Sequence, residues 1–321
     1  QIMNKSVISI IVPLYNEEQV FSELIERIAN VIDSVSFSCN VYLINDGSTD
    51  RTSELIERIC IEDNRFIGVF LSRNFGHQYA VTAGLSLCNG SKGVLIIDGD
   101  LQDPPELISD FYNLLNEGND VIYAVRRKRK ESFLKRFMYK LYYRLQHRIS
   151  NFDIPIDTGD FSMLSRRVVD HFNDLPELDV YFRGMRAWIG FKQIPFEYER
   201  DERFAGETKY SWKKLFQLAF KGIFNFSDLP VRIITRMGFI TVLISLIYFF
   251  YNVYRKIFYN DVPQGFTATI LAIILFSGVQ LISLGIIGEY VLRIFKQTQN
   301  RPRFIIDKII AKKNDNDTII E

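Results

Sequence analysis

Cysteine is scarce in this chain: three in 321 residues, at positions 39, 60 and 88. The number is odd, the spacing wide and the neighbours apolar. That excludes a disulfide framework and a cysteine-built metal site, and it points to a reducing compartment. Net charge is nearly absent as well, with Lys+Arg 39 against Asp+Glu 38. No chain-wide basic footprint exists, so no nucleic-acid partner is expected. No Gly-x-Gly-x-x-Gly follows the first apolar run, which argues against a dinucleotide-dependent dehydrogenase. Nor is there an apolar stretch near the start preceded by positive charge, so no cleaved leader is expected. No segment repeats another.

Apolar and aromatic residues are plentiful. Phe 27 and Tyr 16 suit both core packing and membrane-interface anchoring. A mean hydropathy of +0.01 with 24% charged residues requires the apolar residues to be unevenly spread. They are. In the first half, short β-branched runs at Val7–Val12, Val41–Ile44, Phe66–Leu71, Gly93–Ile97 and Asp120–Val125 suit strands covered on both faces. Between them Val20, Leu24, Ile25, Ile28 and Ile32 recur at helical spacing, as do Leu55, Ile56 and Ile59, then Ala80, Ala83, Gly84 and Leu87. Leu107, Phe111, Leu114 and Leu115 follow Pro104-Pro105, a favourable helix start. Alternating strands and helices predict a mostly parallel α/β sheet.

After about residue 230 the pattern changes. Met237–Tyr254 and Val262–Gly288 carry no charged residue, and each is long enough to cross a hydrocarbon core of about 30 Å. Arg232 and Arg236 precede the first run; Arg293, Lys296, Arg301 and Arg303 follow the second. This excess predicts that both termini and the large N-terminal domain lie in the cytoplasm. Ser211–Asp228 sets Trp212, Leu215, Phe216, Ala219, Phe220, Ile223 and Phe224 on one helical face beside Lys213, Lys214 and Lys221. That pattern suits a helix in the membrane interface, or one packed on the preceding domain. Phe133–Ile149 is similarly basic and aromatic. Residues 312–321 are polar and expected to be disordered. The expected division is a catalytic domain over 1–210, an amphipathic helix over 211–232, two spans over 233–296 and a tail over 297–321.

In parallel sheets ligands bind beyond the carboxyl ends of the strands. Those ends carry Pro13-Leu14-Tyr15-Asn16-Glu17, Asn45-Asp46-Gly47-Ser48 and Asp98-Gly99-Asp100. Two carboxylates one residue apart can hold a hard divalent cation, Mg²⁺ or Mn²⁺, and the diphosphate it bridges. Gln102 can offer a further oxygen. Tyr15 can cover a nucleobase, and Glu17 can accept hydrogen bonds from base or ribose, or merely cap the next helix with Asn16. Asp46 can bind base or ribose, or cap the helix beginning near Thr49.

Ile11-Val12-Pro13-Leu14-Tyr15-Asn16-Glu17-Glu18, Asn45-Asp46-Gly47-Ser48-Thr49-Asp50, Ser72-Arg73-Asn74-Phe75-Gly76-His77-Gln78 and the stretch from Asp98 to Glu106 together resemble glycosyltransferase family 2, which has the GT-A fold. With the two C-terminal runs, the chain is similar to the polyprenyl-phosphate glycosyltransferases, from about residue 6 to about 305. Many members carry Asp where Asn45 stands.

The resemblance implies nucleotide contacts from Pro13, Tyr15, Glu17 and Asp46, and cation and diphosphate contacts from Asp98, Asp100 and Gln102. Asp157, in Asp157-Thr158-Gly159-Asp160-Phe161, matches the proposed base position, with Asp160 as second choice. A polyprenyl phosphate is already ionised, its second pKa being about 6, so Asp157 is expected to orient the donor sugar as readily as to take a proton. Arg203 and Lys209 match a basic loop expected to receive the acceptor phosphate; Arg126 and Arg127 are weaker candidates. His77 is expected either to reach the diphosphate or to pack locally at a helix start. The implied reaction is inverting transfer of a sugar, by default glucose from UDP-glucose, to undecaprenyl phosphate at the inner membrane of a bacterium. Lateral association into a homo-oligomer is compatible with two spans. One alternative is a polysaccharide-extending transferase, although a Gln-x-x-Arg-Trp motif is missing. Another is a non-catalytic membrane-anchored nucleotide-sugar sensor, although Asp98 and Asp100 are intact.

Overall fold

The computed structural model describes residues 6–126, 158–178, 180–198, 229–259, 265–312 and 318–320. The chain forms two compact units. The first comprises Gln1–His147, Phe152–Lys214 and Pro302–Glu321, the second Arg148–Asn151 and Leu215–Arg301.

The first unit is built on a nine-stranded sheet. β1 (Ile8–Leu14), β2 (Cys39–Asn45), β3 (Phe66–Leu71), β4 (Gly93–Ile96) and β5 (Val121–Arg126) form from the five apolar runs. α1 (Phe21–Ser34), α2 (Thr52–Glu62), α3 (His77–Leu87) and α4 (Ile108–Asn116) lie between them. A 3-10 turn over Pro105–Leu107 leads into α4. Helix α1 shows why the pattern folds this way: Phe21, Leu24, Ile25, Ile28, Val31 and Ile32 are its buried face, one apolar stripe closing on the sheet. Helix α3 approaches the sheet so closely that a Cβ on Gly84 would stand 2.5 Å from Ile11.

The sheet is mixed rather than simply parallel. The order is β7-β5-β6-β4-β1-β2-β3-β8-β9. β1 to β4 pair in parallel, but β6 (Thr158–Ser165) runs antiparallel between β4 and β5. β7 (Gln193–Tyr198) pairs with β5, and α5 (Arg166–Asp174) and α6 (Phe182–Ile189) connect β6 to β7. Register decides what β6 contributes. Ile96 pairs with Ser162, so Asp160 comes level with Asp98 at the carboxyl end of β4.

The C-terminal residues depart from the expected disordered tail over 312–321. β8 (Ile306–Lys312) pairs antiparallel with β3, and β9 (Thr318–Ile320) pairs with β8. Ile310 joins the buried core, Lys308 reaches Glu57 at 2.5 Å, and the Ser72 N–H donates to the Ile305 carbonyl. An open β3 edge would leave a row of unpaired amides, and this return strand supplies their partners. The described strands β8 and β9 therefore belong to the sheet.

The second unit holds two long helices, α7 (Leu229–Tyr259) and α8 (Phe266–Thr298). Arg236–Tyr259 and Leu275–Thr298 are long and apolar enough to cross a membrane, with none of either stretch buried within the protein. Phe239 is 79% exposed and Leu281 69%, a surface suited to lipid. Helix α8 continues past Gly288 and carries Glu289 paired to Arg293 one turn on, at 3.0 Å. The amphipathic segment 211–228, the basic segment 133–149 and the connection 260–264 lie outside the described residues.

Candidate active site

Four strand-to-helix loops meet at the carboxyl edge of the sheet. The first two are stitched together by polar contacts. Asn16, held at φ 54°, accepts from the Thr49 N–H at 2.8 Å, and its own N–H donates to Ser48 Oγ at 3.1 Å. The Glu17 N–H donates to Thr52 Oγ1, and the Glu18 and Arg51 amides bind Asp50 and Glu18. These contacts fix the backbone from which Tyr15 and Glu17 project, and Tyr15 stays exposed. Pro13 lies within β1. Asn45 is buried and uses both faces of its amide, donating to Ser53 Oγ at 2.7 Å and accepting from the Ser48 N–H at 3.0 Å.

Asp46 is 3% exposed. One oxygen accepts from the Phe75 N–H at 2.7 Å, the other from the Gly76 N–H at 2.9 Å. Burial pushes its carboxyl up from the ordinary range, against the pull of those two amides. In this arrangement Asp46 clamps the β3–α3 loop. Gly47 allows the clamp to close: at φ +66°, a Cβ there would stand 2.5 Å from the Arg73 and Asn74 backbone.

The third cluster surrounds Asp98. The chain turns sharply after β4, and a Cβ on Gly99 would meet Leu14 at 2.5 Å. Asp98 stays 26% exposed at its side chain. Asp100 accepts from the Gln102 N–H at 3.2 Å, which holds the turn and leaves the Gln102 side chain half-buried beside it. Asp103 is buried and accepts from the Tyr198 hydroxyl at 2.6 Å. His77 Nε2 stands 3.5 Å from Asp98 Oδ1 and 3.2 Å from Asp160 Oδ2. Desolvation opposes a charge on that ring, but the hydrogen bond to Asp160 and the charges of Asp98 and Asp160 outweigh it and lift the imidazole to about 9. Asp160 also accepts from Gln78 Nε2 at 3.1 Å and Arg183 Nε at 2.8 Å. Burial would raise the Asp160 carboxyl; Arg183 and His77 hold it well below the usual carboxylate range instead. A carboxylate so enclosed, with both oxygens engaged, is poorly placed to take a proton from a substrate. Asp157, Arg203, Lys209 and Arg127 lie outside the described residues, and Arg126 ends β5.

The sequence matches the glycosyl transferase family 2 model over residues 9–172, and the GtrB C-terminal hairpin model over residues 229–294. The chain belongs to glycosyltransferase family 2. It is 42% identical over 307 residues to the uncharacterized glycosyltransferase YkcC of Bacillus subtilis, covering 95% of each chain. It is 34% identical over 303 residues to a prophage bactoprenol glucosyl transferase homolog of Escherichia coli, covering 94% of this chain and 99% of that one. Glucosyl-3-phosphoglycerate synthase of Mycobacterium tuberculosis is a looser structural relative, with a TM-score of 0.42 at 19% identity over 68% of this chain and 77% of that one.

The mixed sheet, with helices on its faces and loops gathered at one edge, is thus the GT-A fold of a family 2 transferase. It brings Tyr15, Glu17, Asp46, Asp98, Asp100 and Gln102 to that edge. Sequence reasoning did not find the four-way junction at Asp160, because its partners lie 23 to 83 residues away along the chain. It also passed over Arg186. This side chain is 1% exposed and its Nη1 reaches the Gly159 carbonyl at 3.5 Å; its Nε and Nη2 have no hydrogen-bond partner among the described residues. Burial pulls its guanidinium down to about 10, so it remains charged at neutral pH, facing Tyr123 at 5.2 Å.

Proposed function

We propose that this family 2 transferase moves a sugar from a nucleotide-sugar, by default UDP-glucose, to undecaprenyl or another polyprenyl phosphate. The observation carrying this reading is the joint presence of Asp98-Gly99-Asp100 at the carboxyl edge of the sheet and two lipid-suited helices in one chain. The bactoprenol glucosyl transferase homolog, matched over nearly its whole length, supports a lipid phosphate acceptor. The Lys/Arg excess flanking the spans supports an inner-membrane location with the catalytic unit and both termini cytoplasmic.

The donor set at Asp98 and Asp100 fits a divalent cation. Mg²⁺ and Mn²⁺ commonly take one or two protein carboxylates and complete their shell with substrate phosphate oxygens and water. Asp98, Asp100 and Gln102 would hold it, and bound there it would supply charge stabilisation for the departing nucleoside diphosphate. The protein's own part is positioning. Tyr15 and Glu17 hold the nucleotide on the stitched first loop, and Asp46 holds the third loop against the second. The acceptor oxygen is already ionised, so attack on the anomeric carbon needs no proton abstraction, and in-line displacement inverts the centre. Asp157 then orients the donor sugar, and Arg203 and Lys209 neutralise the incoming lipid phosphate.

The test is a donor panel with undecaprenyl phosphate in vesicles and Mg²⁺ or Mn²⁺, with lipid products read by mass. A single glucosyl addition from UDP-glucose is expected. Extension of a soluble saccharide, with no lipid-phosphate product from any donor, would overturn the assignment.

A further inference from the structure

The His77 ring occupies a particular place. Its backbone is fixed from behind, because Asp46 holds the amides of Phe75 and Gly76 immediately before it, and the Gly76 carbonyl starts helix α3 by accepting from the Tyr79 and Ala80 amides. The ring then projects between two carboxylates carried on adjacent antiparallel strands, Asp98 after β4 and Asp160 on β6. Asp160 is itself locked by Arg183 and Gln78, and Gln78 is locked in turn by accepting from the Phe182 N–H at 2.8 Å. The ring is therefore anchored on one side and faces a more exposed carboxylate on the other. At 42% exposed it borders the cleft and is not a core histidine. The Nε2 hydrogen bond goes to Asp160, and the contact with the buried Asp98 Oδ1 at 3.5 Å is an ion pair, so the exposure of Asp98 belongs to its remaining atoms.

We propose that His77 is a positioning residue for Asp98, holding that carboxylate in the orientation the donor diphosphate and its cation require. The inference rests on the reading of Asp98 as a cation and diphosphate contact. Outer partners of this kind commonly set the affinity of a metal carboxylate, and losing one costs about 10–100-fold in metal affinity or activity.

The experiment uses the full chain in detergent, with Mn²⁺ and UDP as probes. Free Mn²⁺ is read by electron paramagnetic resonance, and the melting temperature is read alongside. His77→Ala should weaken UDP-dependent Mn²⁺ binding about 10–100-fold, and in turnover it should raise the Mn²⁺ concentration for half-maximal rate. His77→Gln, which keeps an N–H donor, should recover part of the loss. If the alanine variant shows no melting transition, His77→Phe replaces it, filling the space without a ring nitrogen. Wild-type Mn²⁺ affinity in the alanine or phenylalanine variant overturns the inference, even with a lowered melting temperature, since that pattern marks a purely structural histidine. Equal loss in the glutamine and alanine variants also overturns it. Asp98→Asn separates the two levels. If it binds Mn²⁺ and UDP as wild type does, the cation reading of Asp98 fails and the inference falls with it.

Discussion

Asp46→Asn separates two roles for one residue, a direct nucleotide contact and an internal clamp. The aspartate is almost fully buried and accepts two backbone amides, at 2.7 and 2.9 Å. A hydrogen bond to a charged acceptor contributes about 1.5–3 kcal/mol. Asparagine can accept only one of the two, and its NH₂ then faces the other N–H. That leaves a buried donor unsatisfied, at a further cost of about 1–3 kcal/mol. Burying an amide is less costly than burying a carboxylate, which returns part of the sum. The net loss should be about 2–4 kcal/mol. At about 2–4 °C per kcal/mol for a unit of this size, the melting temperature in detergent should fall by about 5–15 °C. Because the clamp shapes the loop that presents His77, kcat should fall together with stability, while the KM for the nucleotide-sugar changes little. An unchanged melting temperature with a large rise in donor KM would refute the clamp and make Asp46 a direct nucleotide ligand.

Three further outcomes are expected. Asp100→Asn should lower turnover on the order of 10²–10³-fold with folding intact; a fully active variant, or wild-type activity in excess EDTA, would remove the cation from the site. Asp160 has a carboxyl held below its unfolded value of about 3.9, so the stability it confers is present above that pH and drains away as pH falls through and below it. The melting-temperature gap between wild type and Asp160→Asn should therefore shrink between pH 7 and pH 3, and a constant gap would show that Asp160 carries no such charge. Ile310→Ala, on a buried position of β8, should cost about 2–3 kcal/mol and expose the C-terminal stretch to limited proteolysis; unaltered protease resistance would mean that β8 contributes nothing to the unit.

The elements legible from the sequence are those whose signal is local. β1 to β5 are short, mostly apolar runs, and α1, α2 and α4 carry one apolar stripe each, while α3 is buried over the consecutive residues Ala80 to Leu85, so local pattern locates them. β6 is harder, because Gly159, Asp160 and Ser162 interrupt its apolar residues, and its place between β4 and β5 depends on antiparallel pairing that no local pattern encodes. β8 falls within the stretch over 297–321 expected as a tail, and Asp307, Lys308 and Lys312 punctuate its isoleucines. It is an outer strand of the main sheet, where charged residues on the solvent side are normal. At the site, the paired carboxylates of Asp98 and Asp100 were visible because their spacing is their chemistry. The tasks of Asp46, His77 and Asp160 were not, because each depends on partners from other strands.

The pairing of β8 with β3 also governs when the fold can be completed. Its partners sit roughly 240 residues apart, with both long apolar helices between them, and contacts this distant form late. During synthesis, β1 to β4 and their helices emerge first and can condense, but β3 remains a bare edge while α7 and α8 are translated. The edge closes only when β8 emerges behind α8. The loop that follows β3 presents His77, and the Ser72 amide at its start waits for Ile305. The ribosome therefore delivers the two long apolar helices before the loop after β3 is fully braced, so a finished sheet unit belongs to a chain whose α7 and α8 have already been made.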